Sequence, residues 1–161
     1  MTASRPATTG EPVDPDVDLR VPRERARSWR AQAPVVAVVS VGGAIGATAR
    51  YAASLLWPTA ADGFPWTTFV INVTGCAVIG VFLVLVSEVW TAHRLLRPFF
   101  GTGVLGGYTT FSTYAVEIER LVNAGEARTA LVYLAATLLA ALGAVTLAVT
   151  ATRRVLAWRQ P

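Results

Sequence analysis

Apolar and polar positions in this chain fall into long blocks rather than alternating at the short periods of a soluble fold. After a polar N-terminal stretch, four apolar blocks run over 34–57, 66–90, 98–122 and 127–151. Each is near 25 residues long. At about 1.5 Å of rise per residue, a helix of that length crosses a hydrocarbon layer of roughly 30 Å with some tilt. Trp57, Trp66, Trp90 and Trp158 fall at or near block ends, where indole rings favour the membrane interface. The connections are short, so neighbouring spans run antiparallel. The pattern therefore predicts an all-α integral membrane protein, a compact bundle of four transmembrane helices whose backbone bonds are satisfied internally. Residues 1–30, rich in Pro, Thr, Asp and Arg and poor in large apolar side chains, read as a disordered arm. Residues 31–161 read as the membrane domain. The arm is not a signal peptide, because the apolar stretch behind it is too long and lacks a clear cleavage site.

Composition agrees. The chain is 53% hydrophobic and 15% charged, against about 25% charged in an ordinary soluble domain. Lysine is absent, so all 14 formal cations are arginines. A pI near 10.0 raises nucleic-acid binding, but no basic patch alternates with aromatics as single-strand binders require. Basic flanks that anchor a membrane protein explain it better. An even number of spans puts both termini on one side, with the loop between spans two and three. That side carries Arg20, Arg23, Arg25, Arg27, Arg30, Arg94, Arg97, Arg153, Arg154 and Arg159. The other side has Asp62 in one loop, and in the second Arg120 and Arg128 balanced by Glu119 and Glu126. The positive-inside rule places both termini in the cytoplasm, in a plasma-membrane protein. Cys76 and His93 are each single, so there is no disulfide framework, zinc site or Ser–His–Asp set inside the spans, and no enzyme is expected.

Polar residues inside the apolar blocks are the candidate chemistry. In "GGAIGATARY" (42–51), Gly42 and Gly46 are four apart, as are Gly43 and Ala47, a spacing that lets helix backbones approach closely. Arg50 lies too deep for a simple flank; it either snorkels, pairs, or lines an electropositive vestibule. In "TTFVINVTGCAVIG" (67–80), Asn72 is either interhelical glue or a donor along a polar path. The third span carries "GGYTTFSTYAVE" (106–117), centred near Thr109. Gly101, Gly103, Gly106 and Gly107 weaken the helix before it. Either the helix breaks there, leaving carbonyls free for a hard cation, or it continues with its threonines bonded back to their own carbonyls. Phe111 and Tyr114 are three apart on nearly one face, beside Ser112 and Thr113. Their ring edges carry partial positive charge and can face a small anion. Tyr133 and Thr137 share a face of the fourth span and extend the hydroxyl stripe.

These three segments, in order and spacing, resemble the signature segments of the Fluc (CrcB) fluoride channels, and the resemblance covers 34–151. It implies a fluoride-specific channel subunit that exports fluoride passively, as an antiparallel dimer with two pores. It also implies a structural, untransported Na⁺ held by the carbonyls of Gly106 and Thr109 at a mid-membrane break in the third span. The phenylalanine box maps to Phe111 and Tyr114, the pore asparagine to Asn72, the vestibule arginine to Arg50. The polar track maps to Ser112, Thr113, Tyr133 and Thr137. Tyr114 departs from the family's usual Phe and bears on whether both pores conduct alike. The arginine bias adds a point of its own. Identical chains in an antiparallel dimer must insert both ways, whereas this one has a strong preference. The expected partner is an oppositely inserted homologous chain, with a homodimer as the alternative. Rival readings are a small proton-coupled multidrug exporter, with Glu117 as proton carrier, and a non-conducting subunit that needs a paralogue.

Overall fold

The computed structural model describes residues 22–59, 63–89 and 94–158, and no strand occurs among them. The helices are α1 (Pro22–Leu56), α2 (Trp66–Val84), α3 (Gly106–Tyr108), α4 (Ser112–Asn123) and α5 (Ala127–Trp158). A π-helical turn, Leu85–Val89, extends α2, and a π-helical stretch, Arg97–Leu105, leads into α3. The chain divides into two units, Met1–Pro34 and Val35–Pro161. In the first, helix begins at Pro22, inside the stretch expected to be disordered. Proline is pre-set for a first helical position, and the Arg, Ala and Glu that follow are good helix formers. Residues 1–21, Asp62, Trp90, His93 and Arg159 lie outside the described residues.

Among the described residues, three segments are long and apolar enough to cross a membrane: Gln32–Leu56, Trp66–Val89 and Ala127–Trp158. The block at 98–122 does not form one such helix. Its geometry changes at Leu105, and the backbone turns extended at Thr109 (φ −75°, ψ 157°) before helix resumes at Ser112. The glycines lower helix propensity there, and the hydroxyls offer the backbone partners outside the helical ladder.

Within the second unit, glycines set the spacing between α1 and the segment that follows the π-helical turn. A Cβ on Gly46 would lie 2.7 Å from the Tyr108 nitrogen and collide with the Val104 carbonyl. One on Gly103 would lie 3.0 Å from Gly42 Cα, and one on Gly107 3.0 Å from Gly43 Cα. The small-residue spacing in 42–51 is thus a packing surface that brings two backbones together. Gly80 does the same for α2 on α5, where a Cβ would stand 2.8 Å from the Val145 carbonyl. Leu121, Ala130 and Tyr133 form a buried cluster between α4 and α5, with Phe64, Phe69, Tyr114 and Ile118 around it. At the other end, Arg153 Nε meets Glu88 Oε1 at 2.8 Å, an exposed pair worth about 0–1 kcal/mol.

Candidate functional site at the helix break

The break is built by side chains that take backbone groups out of the helical ladder. Asn72, on α2, grips Thr110 from both sides. The Thr110 N–H donates to Asn72 Oδ1 at 2.9 Å, and Asn72 Nδ2 donates to the Thr110 carbonyl at 3.0 Å. The Thr110 hydroxyl accepts the Thr113 N–H at 3.1 Å, which caps the first turn of α4. It also donates to Thr113 Oγ1 and pairs with Ser112 Oγ, each at 3.2 Å. In a continuous helix those two N–H groups would serve the carbonyls of Gly106 and Thr109. Both donors are committed to side chains instead. Arg50 closes the arrangement from α1, its Nε donating to the Gly107 carbonyl at 3.2 Å.

A cleft of about 720 Å³ opens beside the break. Asn72, Gly106, Thr109, Phe111, Tyr114 and Thr137 line it, together with Thr110 and apolar side chains. The Phe111 and Tyr114 rings stand 5.8 Å apart at 51°. Phe111 is 79% exposed on this chain. The Tyr114 hydroxyl donates to the Leu134 carbonyl at 2.9 Å, so the extra oxygen of this chain's tyrosine is engaged on α5. Ser112, Thr113, Tyr133 and Arg50 are not among the lining residues. Ser112 and Thr113 reach the cleft wall through Thr110, and Arg50 through Gly107.

Tyr133 sits behind the cleft, fully buried. Its hydroxyl donates to Glu117 Oε2 at 2.7 Å, while Thr68 donates to Glu117 Oε1 at 2.8 Å. The carboxylate is therefore held at both oxygens by α2 and α5. Thr137, one turn along from Tyr133, behaves differently. Thr146, Thr150 and Thr152 on the same helix each donate to the carbonyl four residues back, at 2.7–2.9 Å. The Thr137 hydroxyl is buried with no hydrogen-bond partner, at the wall of the cleft.

Sequence reasoning missed Thr110 and Thr68. A threonine immediately ahead of a helix start, three residues before the N–H that it caps, is a readable signal for Thr110. Nothing local marks Thr68, which meets Glu117 only through the packing of α2 on α4.

Three apolar helices long enough to cross a bilayer, with an interrupted helix beside a largely apolar cleft that Asn72 and threonines reach, define an integral membrane protein. Residues 37–149 match the family described as CrcB-like protein, Camphor Resistance (CrcB). The chain is 66% identical over 138 residues to Fluoride-specific ion channel FluC 2 of Streptomyces avermitilis, covering 86% of this chain and 85% of that one. It is 66% identical over 142 residues to Fluoride-specific ion channel FluC 1 of Streptomyces coelicolor, covering 88% and 92%. Fluoride-specific ion channel FluC 3 of Streptomyces avermitilis is 42% identical over 125 residues, covering 78% of this chain and 61% of that one. The chain belongs to the CrcB family.

Proposed function

We propose that this chain is a subunit of a fluoride-specific ion channel that lets fluoride leave the cell passively. The observation that carries the reading is Thr137. A buried hydroxyl left unpaired costs about 1–3 kcal/mol, while neighbouring threonines avoid that cost by bonding back to the helix. The Thr137 side chain lines the cleft while its oxygen is covered and unpaired, so a small shift of the wall brings an unused donor to an ion in the cleft. Fluoride is small and strongly hydrated, so it needs such donors when it sheds water. The relatives named as fluoride-specific channels supply the ion's identity.

In this reading the segment from Arg97 to Asn123 is the third of four spans, broken near the membrane midplane. Both termini face the cytoplasm of a plasma-membrane protein. Arg50 raises the local anion concentration. Asn72 holds the break open, Phe111 and Tyr114 present ring edges, and Thr137 donates to the passing ion. Ser112 and Thr113 fix Thr110 at the wall, and Tyr133 fixes Glu117 behind it. The carbonyls of Gly106 and Thr109, whose helical donors are diverted, fit a structural Na⁺ that would hold the break rigid by neutralising their dipoles. The exposed Phe111 ring fits a second subunit in antiparallel orientation. Streptomyces avermitilis has relatives named FluC 2 and FluC 3, which supports an oppositely inserted homologous chain as partner, a homodimer being the alternative.

A fluoride-electrode efflux assay in liposomes tests this. Thr137→Val keeps the side chain's shape and removes only the unpaired hydroxyl. Its melting temperature should hold or rise, while fluoride efflux falls at least about tenfold, the equivalent of one lost charge-assisted hydrogen bond. Wild-type efflux from Thr137→Val would remove that hydroxyl from the path. The same assay decides the partner: this chain alone should give weak efflux, and co-reconstitution with an oppositely inserted homologue should give strong efflux. Strong efflux from the lone chain establishes the homodimer.

A further inference from the structure

A second groove lies on the other side of α2. It has a volume of about 480 Å³, runs between α2 and the π-helical stretch, and is lined by Val78, Val81, Phe82, Leu85, Leu96 and Phe100, with no polar surface. Val81 and Leu85 each follow a cleft residue, Asn72 and Cys76, by nine positions, which at about 100° per residue is half a turn round the helix. The groove therefore faces away from the cleft and from the exposed Phe111 ring. In a membrane-inserted chain that direction is toward lipid.

One end of the groove is basic. Leu85 and Leu96 close it, and the residues that follow them are joined: Arg97 Nη2 donates to the Val86 carbonyl at 3.0 Å. That bond stands the Arg97 guanidinium at the groove mouth, and its side chain remains exposed, as does that of Arg94. Glu88, the acid among the described residues at this end, is held by Arg153 at 2.8 Å. Arg154 adds a further charge, so the surroundings are net positive.

We propose that this groove is a binding site for one anionic phospholipid, with an acyl chain along Val78, Val81 and Phe82 and the headgroup phosphate on Arg97 and Arg94. An apolar groove alone would accept any lipid tail. The Arg97 guanidinium at its mouth, with the exposed Arg94 two positions before Leu96 in the chain, favours a headgroup with net negative charge, because a guanidinium fork matches phosphate oxygens. Such lipids are concentrated in the cytoplasmic leaflet, the side to which the arginine bias assigns this end. The site depends on membrane insertion and not on the fluoride path.

The test is native mass spectrometry of the full-length protein released from vesicles of phosphatidylcholine and phosphatidylglycerol in equal parts. The wild type should retain phosphatidylglycerol in preference to phosphatidylcholine. Arg94→Gln and Arg97→Gln should each lower that retention about fivefold. Val81→Trp, which fills the groove without touching charge, should lower it as well. Arg94→Gln leaves the Arg97–Val86 bond in place and keeps the test open if Arg97→Gln does not fold. Equal retention of the two lipids by the wild type, or undiminished phosphatidylglycerol in Arg94→Gln/Arg97→Gln, overturns the proposal.

Discussion

Asn72→Leu is expected to abolish fluoride efflux. Leucine is larger than asparagine but branches at the same Cγ, so it follows the same side-chain path on α2 without the amide's donor and acceptor. What disappears is the pair of bonds at 2.9 and 3.0 Å that hold the Thr110 backbone. Each of those backbone groups, left unpaired away from water, costs about 1–3 kcal/mol. The cheapest repair is for the Thr110 N–H to turn back to the Gly106 carbonyl, which restores a helical turn. The interruption then closes, and with it both the cleft wall and the carbonyl set at Gly106 and Thr109. Asn72→Asp separates the two bonds: it still accepts the Thr110 N–H but cannot donate to the carbonyl, and should fall between wild type and Asn72→Leu. Fluoride-electrode efflux is the first readout. The second is thermal melting in Na⁺ against a large organic cation, where Na⁺ should stabilise the wild type and not Asn72→Leu. Efflux unchanged in Asn72→Leu would show that the grip on Thr110 is not what keeps the passage open.

The other large effect belongs to Gly46. A Cβ there meets the Val104 carbonyl and, at 2.7 Å, the Tyr108 nitrogen. Both are backbone atoms, so no rotamer change relieves the clash. Overpacking a tight contact costs about 1–3 kcal/mol, and more where backbone must move. Gly46→Val should push α1 away from α3, break the Arg50–Gly107 bond, and give aggregated material in place of a monodisperse peak on size-exclusion chromatography in detergent. Gly143 is the control: no atom lies within 4 Å of its Cβ position. Gly143→Ala on α5 should be neutral or stabilising by up to about 1 kcal/mol from helix propensity. A normal elution profile for Gly46→Val would mean that α1 does not need this close approach.

The spans at Gln32–Leu56, Trp66–Val89 and Ala127–Trp158 were legible because apolar blocks of that length have few other solutions. The glycine spacing in α1 was legible from local pattern: small residues four apart make a flat strip, and the π-helical geometry after Arg97 does not alter that. The interruption was half legible. Four glycines announced weakness, yet whether the helix opens depends on Asn72 reaching Thr110 from another helix, a contact no local pattern encodes. The hydroxyl stripe was the least legible part. Thr146 bonds back to its own helix, as threonines in apolar helices commonly do, whereas the packing around α5 leaves Thr137 without that bond. Ser112, Thr113 and Tyr133 were grouped by face, but the structure gives their hydrogen bonds to Thr110 and Glu117. Helical periodicity fixes which way a side chain points, and the partner it finds there is a tertiary matter.

The bond from Tyr114 to Leu134 spends the hydroxyl's one proton inside the chain. Replacing Tyr114 with phenylalanine therefore removes a tie between α4 and α5 and leaves the ring where it stands. Whatever packs on that ring meets an oxygen that can accept a hydrogen bond and has no proton left to give.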